Sequence, residues 1–181
     1  MMKYLKYILG IAAILVIGFF LLGIIKPKIS YECEIIIDKP LAESWAVSQD
    51  EKKMSDWLSG FQKIEHVSGS IGNVGSVSDV YFINDGQEMI IRETITEIVP
   101  NESIAMSFTS DFMEMDYKLS MKSIDGKTKI SSSTTAIGNG LISKSLMVLM
   151  QNSIQTQEHT NLENLKKTIE KNSINYSSTE K

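Results

Sequence analysis

Glu93 lies between Ile91 and Ile95 in a strand-length segment, 88–99. Side chains of a strand alternate between faces, so if Ile91 and Ile95 point to a core, Glu93 goes with them. A carboxylate carried inward has a raised pKa or needs a partner. Either condition suits general acid/base work or the orienting of a bound molecule. Arg92 points to the opposite face of a regular strand and is not the natural partner. A bulge could instead make Ile90, Thr94 and Ile98 the inner set and leave Glu93 in water. Asp79, Tyr81 and Thr134 are further candidates for polar groups lining an interior.

The other chemistry-bearing residues point mostly to packing. His66 and His159 are the only histidines, and neither has a neighbour at metal-ligand spacing, so no metal site is expected. Ser131-Ser132-Ser133 reads as strand and not as a nucleophile elbow. The single cysteine, Cys33, excludes an intramolecular disulfide. Gly69, Gly72 and Gly75 lack phosphate-loop spacing and suit a long hairpin loop. No cofactor is called for. Met113, Met115, Tyr117, Leu119 and Met121 share one face of a strand, and Met106 and Phe108 do likewise on the strand before. Each fits an ordinary core; together, flexible thioethers fit a pocket wall that adapts to apolar molecules. Trp45 and Trp57 read as core and cavity-rim aromatics.

Elements must position these groups. A first strand is expected over 30–37, with Cys33, Ile35 and Ile37 alternating against Glu32 and Glu34. Pro40 suits the first turn of a short helix carrying Leu41, Trp45 and Val47, and a second short helix covers 51–58. Six strand-length segments follow, at 61–68, 76–83, 88–99, 103–110, 113–123 and 128–137. Asp85-Gly86 and Asp125-Gly126 are hairpin signals. After Gly138-Asn139-Gly140 the period becomes helical. Ile142, Leu146, Leu149, Met150, Ile154, Leu162, Leu165 and Ile169 are expected on one stripe of a helix of about thirty residues. Gln157, Glu158 and Asn161 interrupt it, either to face a cavity or because the helix emerges into solvent there. Residues 172–181 read as a disordered tail. The result is an α+β fold in which a seven-stranded antiparallel sheet curls around a long terminal helix, a geometry that tends to leave a cavity.

Several stretches in this order resemble the polyketide cyclase/dehydrase and lipid-transport superfamily, also called SRPBCC, START-like or helix-grip. They are Ile37-Asp38-Lys39-Pro40 followed by Ser44-Trp45; 50–54 leading to Trp57; 72–76 opening a strand; 93–101 across a strand and turn; and 162–166 near the end of the last helix. The resemblance covers residues 29–171. It implies a Bet v 1-like helix-grip fold with a cavity, a flap-like loop at 69–75, and no universal catalytic residues. Glu93, Ile91, Ile95, Met106, Phe108, Met113, Met115, Tyr117, Tyr81, Trp57 and Glu158 are the expected ligand-binding set.

Before this domain, residues 7–25 run without a charge, between Lys3 and Lys6 on one side and Lys26 and Lys28 on the other. Nineteen residues at ~1.5 Å each span roughly 28 Å, close to the ~30 Å hydrocarbon core of a bilayer. A signal peptide is the competing reading, but its apolar region is usually shorter and no small-residue cleavage site follows. Residues 1–28 are therefore expected to be a single-pass anchor. Equal lysine counts leave its topology open; short N-terminal tails usually stay inside, which favours an external domain. Residues 29–181 hold 14 basic and all 22 acidic residues, a formal charge of 14 − 22 = −8. That balance argues against nucleic acid as a partner. The expected protein holds a mainly apolar, lipid-like or isoprenoid-like molecule beside a membrane. The alternatives are a cyclase- or dehydrase-like enzyme using Glu93 as acid/base, and a protein-interaction module like the chaperone activators of the superfamily.

Overall fold

The computed structural model describes residues 2–84, 86–174 and 176. Asp85 of the expected hairpin turn and most of the expected disordered tail lie outside them. An apolar helix, α1 (Met2–Ile25), leads through Lys26-Pro27 into β1 (Lys28–Ile37). Two short helices follow, α2 (Leu41–Ser48) and α3 (Met54–Trp57), joined by a 3₁₀ turn at Glu51–Lys53. Pro40 stands just before α2, its φ of −62° fitting the helix entry and its carbonyl accepting from Ser44 N. The Asp50 carboxylate accepts from Lys52 N, so the expected second helix starts as a capped 3₁₀ turn.

Six strands then run as a meander: β2 (Phe61–Ser68), β3 (Val77–Asn84), β4 (Gln87–Val99), β5 (Ser103–Thr109), β6 (Met113–Ile124) and β7 (Lys127–Gly138). Successive strands pair antiparallel, and β1 closes the sheet against β7, giving the order β1-β7-β6-β5-β4-β3-β2. Asp125 and Gly126, at φ 50° and 80°, make the β6–β7 turn in the left-handed region that the Asp-Gly pair tolerates.

The ladder between β4 and β5 pairs Ile95 with Met106 and then Glu97 with Ala105, so Thr96 is an extra residue. This bulge resolves the two readings of β4. Ile91, Glu93 and Ile95 face inward before it, and Ile98 packs inward after it, while Ile90 is exposed.

The final helix, α4 (Leu141–Glu170), lies in the curl of the sheet. Its buried apolar residues are Met147, Leu162, Leu165 and Ile169, with Ile154 packed beside them. The expected stripe is corrected over the first three turns. Ile142, Leu149 and Met150 are 60%, 60% and 47% exposed. The helix carries two apolar faces there, and Met147, not Ile142 or Leu149, continues the inward one.

The end of α1 packs on the start of α4. A Cβ on Gly23 would fall 2.6 Å from Ser145 Oγ and 2.8 Å from its nitrogen, while one on Gly18 would meet nothing within 4 Å. Gly23→Leu is therefore expected to lower the unfolding temperature of the full chain in detergent, and Gly18→Leu to leave it unchanged, as read by circular dichroism.

Candidate functional site

A cavity of about 140 Å³ lies between the inner face of β3–β6 and the segment 48–57, with the loop between β2 and β3 at its rim. Its wall is mostly apolar: Ile95, Ile104, Met106 and Leu119 from the sheet, Met54 and Trp57 from the helical segment, Ile71 from the loop. Glu93, Ser78 and Tyr117 supply polar groups from the strands, and Ser48, Gln49 and Glu51 from the other side.

Glu93 is placed in this wall by the register that precedes the bulge. It lies opposite Ser78 on β3 and Phe108 on β5. Burial pushes its carboxyl up to about 7, and the negative charge of Glu51 pushes the same way. No hydrogen bond to it is made among the described residues. Arg92 cannot supply one, because its guanidinium is held on the outer face by both Asp79 oxygens at 2.9 and 3.0 Å. On the same cavity, the Trp57 indole N–H is buried with no partner among the described residues.

Behind the cavity the polar wall continues into the core. Tyr117 donates to Glu158 of α4 at 2.9 Å. Burial raises the Glu158 pKa, with Ser132 and the Tyr117 hydroxyl opposing the shift. The Ser132 and Thr134 hydroxyls are buried and make no hydrogen bond of good geometry among the described residues. Tyr31 faces this group from β1, and burial pushes its hydroxyl up to about 12. Burial also raises the Cys33 thiol, with the Glu158 charge adding to it, which disfavours the thiolate.

The expected binding residues divide accordingly. Glu93, Ile95, Met106, Tyr117 and Trp57 line the cavity together. Ile91 is buried on the same face one pleat beyond, and Phe108 meets the Tyr117 ring edge-on at 6.4 Å. Met113 and Met115 are not at the cavity. They pack with Ile29, Ala136 and Met147 in a separate cluster under the start of α4. Glu158 reaches the site only through Tyr117. Tyr81 is corrected outright: it stands on the outer face, its hydroxyl donating to Glu65 at 2.8 Å with the Lys63 ammonium over its ring. Asp79 shares that face. Ser78 and Val80 are the inward residues of β3.

The interruption of α4 resolves residue by residue. Glu158 turns in, Gln157 is exposed, and Asn161 accepts from Ser59 N and Oγ at the rim of α3. His66 meets the Gly69 carbonyl and His159 is exposed, and among the described residues no cluster could hold a metal ion. Tyr31, Ser132 and the residues 48–54 were not among the expected site groups. Tyr31 had a usable signal, since it precedes Cys33 by two on the alternating face of β1.

Solved structures share this fold. The Zhui aromatase/cyclase from a Streptomyces species superposes with a TM-score of 0.67 at 13% identity, over 79% of this chain and 94% of that one. Ara h 8.0201 does so with 0.64 at 17% identity, over 80% and 99%. A Chromobacterium violaceum protein gives 0.64 at 14%, over 79% and 98%. The chain has the Bet v 1-like helix-grip fold. No protein-family model matches its sequence, and no curated protein does. At these identities the likeness is one of fold. In this helix grip the cavity lies at the end of the sheet covered by α2 and α3, not along the whole of α4.

Proposed function

We propose that this is a membrane-tethered binding protein for a small, mainly apolar molecule carrying one polar group. The observation that supports it most is that two polar groups on one mostly apolar cavity, the Glu93 carboxyl and the Trp57 N–H, have no hydrogen-bond partner among the described residues. Buried polar groups are normally satisfied, so two beside the same space suggest a partner that arrives with the ligand. A hydroxyl or carbonyl on the ligand would accept from Trp57, and a hydroxyl would also donate to Glu93.

Size limits the choice. Pockets for drug-sized molecules run to roughly 300–1,000 Å³, whereas an engineered cavity of about 150 Å³ takes benzene. The 140 Å³ cavity therefore suits a ring, or the end of an isoprenoid-like chain, and not a whole lipid. The helix α1 has a 22-residue apolar stretch, Tyr4–Ile25, long enough to cross a bilayer. It would keep the cavity close to where such molecules dissolve.

The test uses the full chain in detergent with 4-methylphenol as probe. Saturable quenching of tryptophan fluorescence is expected, and its loss in Met106→Trp, which fills the cavity, while the fold remains by circular dichroism. Equal, non-saturating quenching of both proteins would overturn the proposal.

One observation favours a second reading, a cyclase- or dehydrase-like enzyme. A carboxyl poised near 7 in a cavity is matched to proton transfer at neutral pH, and neighbours of this fold include aromatase/cyclases. Glu93→Gln separates the two. Binding predicts an affinity changed by no more than several-fold; the enzyme predicts retained binding with turnover abolished.

A further inference from the structure

The start of α4 carries an apolar face that none of the described residues covers. Ile142, Leu149 and Met150 are exposed on it and Leu146 lies between them, at helical spacing i, i+4, i+7 and i+8. Leu141, 42% exposed, starts the same helix. Phe112, 41% exposed, sits beside it, because Asn139 N donates to the Phe112 carbonyl. This face adjoins α1. Gly23 touches Leu141 and Ser145, and Lys26 Nζ donates to Gln151. The two helices therefore run alongside in the same direction, with the free part of α1 projecting past the start of α4.

Length decides what this face meets. The domain half-covers α1 from Phe19 onward. If the whole domain stood in water, only residues 4–18 would remain for the bilayer, and that is roughly 22 Å at ~1.5 Å per residue. The hydrocarbon core is ~30 Å. When the apolar stretch through Ile25 fills that core, Gly23 lies about 3 Å inside its boundary by the same rise, and the first turn of α4 lies level with it. Composition agrees. The domain is strongly acidic, yet no acidic residue occurs between Asp125 and Glu158. Lys144 is the one charge on the first three turns of α4, and a lysine can extend its ammonium to the headgroups. Asp111, beside Phe112, must stay on the water side.

We propose that the first three turns of α4 are seated in the bilayer interface next to α1, with Ile142, Leu146, Leu149 and Met150 at the acyl boundary. The inference rests on the reading of α1 as a membrane span. It makes the attachment two-point. The domain cannot swivel on Lys26-Pro27, and its orientation to the bilayer is fixed.

The full chain in phosphatidylcholine vesicles tests it, with a nitroxide at one of Ile14→Cys, Ile142→Cys, Leu149→Cys or Lys167→Cys; native Cys33 is buried. Relaxation by oxygen is compared with relaxation by a water-soluble nickel chelate. The expected result is an oxygen-to-nickel ratio several-fold higher at 142 and 149 than at 167, and highest at 14. A lipid-like ratio at 14 with a water-like ratio at 142 and 149 overturns the inference and leaves the anchor standing. A water-like ratio at 14 overturns both. Shielding of 142 and 149 from both agents, with dipolar broadening between labels, means that a second copy covers the face, and it overturns the inference too. Phe112→Trp, read by quenching from bromine on the acyl chains, checks the result without a nitroxide; absence of quenching counts against it.

Discussion

Glu93→Gln is expected to stabilise the protein at pH 8 by about 3 kcal/mol and to leave its stability almost unchanged at pH 4. The carboxyl titrates near 7 in the folded chain against an ordinary 4.5. Below 4.5 it is protonated in both states and folding involves no change in proton binding. Between 4.5 and 7 the folded state holds more protons than the unfolded one, so stability falls as pH rises. Above 7 the folded state carries a poorly solvated charge, and a shift of that size at ~1.4 kcal/mol per unit gives the ~3 kcal/mol. Glutamine keeps the shape and cannot ionise. Urea unfolding of both proteins in detergent at pH 4, 6 and 8 checks this through the difference between them, which removes every other titrating group. A constant difference across pH would mean that Glu93 is solvated and its cavity wet. A saturating ligand that donates to Glu93 should shrink the difference, which links this measurement to the binding proposal.

Much of this architecture could be read from the chain because turn chemistry is local. Pro40, Gly60 and Asp125-Gly126 mark their boundaries by backbone restriction alone, and the strands between them fall within a residue or two of expectation. Facing was harder. In β3, Val77, Asp79 and Tyr81 alternate with Ser78, Val80 and Phe82, and each set mixes apolar and polar residues. The Arg92 pairing decides the matter by holding Asp79 outside, and that contact comes from a neighbouring strand. In β4 the facing of Glu93 and of Ile98 could both be right only with a bulge between them, which periodicity cannot place. The first turns of α4 misled for a related reason. With apolar residues all round, a helix does not say which side meets the sheet, and the side left over meets something outside the domain. The size of the cavity was not legible at all, because it depends on how far Trp57, Met54 and Ile71 close over the sheet.

The interior polar groups form a gradient of use. Glu93 has no hydrogen-bond partner among the described residues and faces the cavity, so it is suited to meeting a ligand. Glu158 has a partner and no access, so it is suited to holding α4 in register against β6. Mutation separates these roles. Tyr117→Phe removes the hydroxyl that donates to Glu158 at 2.9 Å and adds nothing in its place. Leaving a buried group unsatisfied costs about 1–3 kcal/mol, more when it is charged. A loss of about 2–3 kcal/mol is therefore expected at pH 8. Its pH dependence has a definite sign. The hydroxyl lowers the Glu158 pKa, so its removal raises that pKa further. The folded variant then binds its proton to higher pH, and the loss should shrink as pH falls toward the ordinary carboxyl value, by which point Glu158 is neutral with or without Tyr117. Glu158→Leu in the Tyr117→Phe background should recover much of the loss, because an apolar pair of similar shape has no charge to leave unpartnered. Four urea curves, for the parent, both single variants and the double, measure the coupling. Simple additivity would mean that Glu158 finds water or another donor when Tyr117 is gone. The polar wall behind the cavity would then be wet, and the ligand space would extend along α4 beyond its 140 Å³.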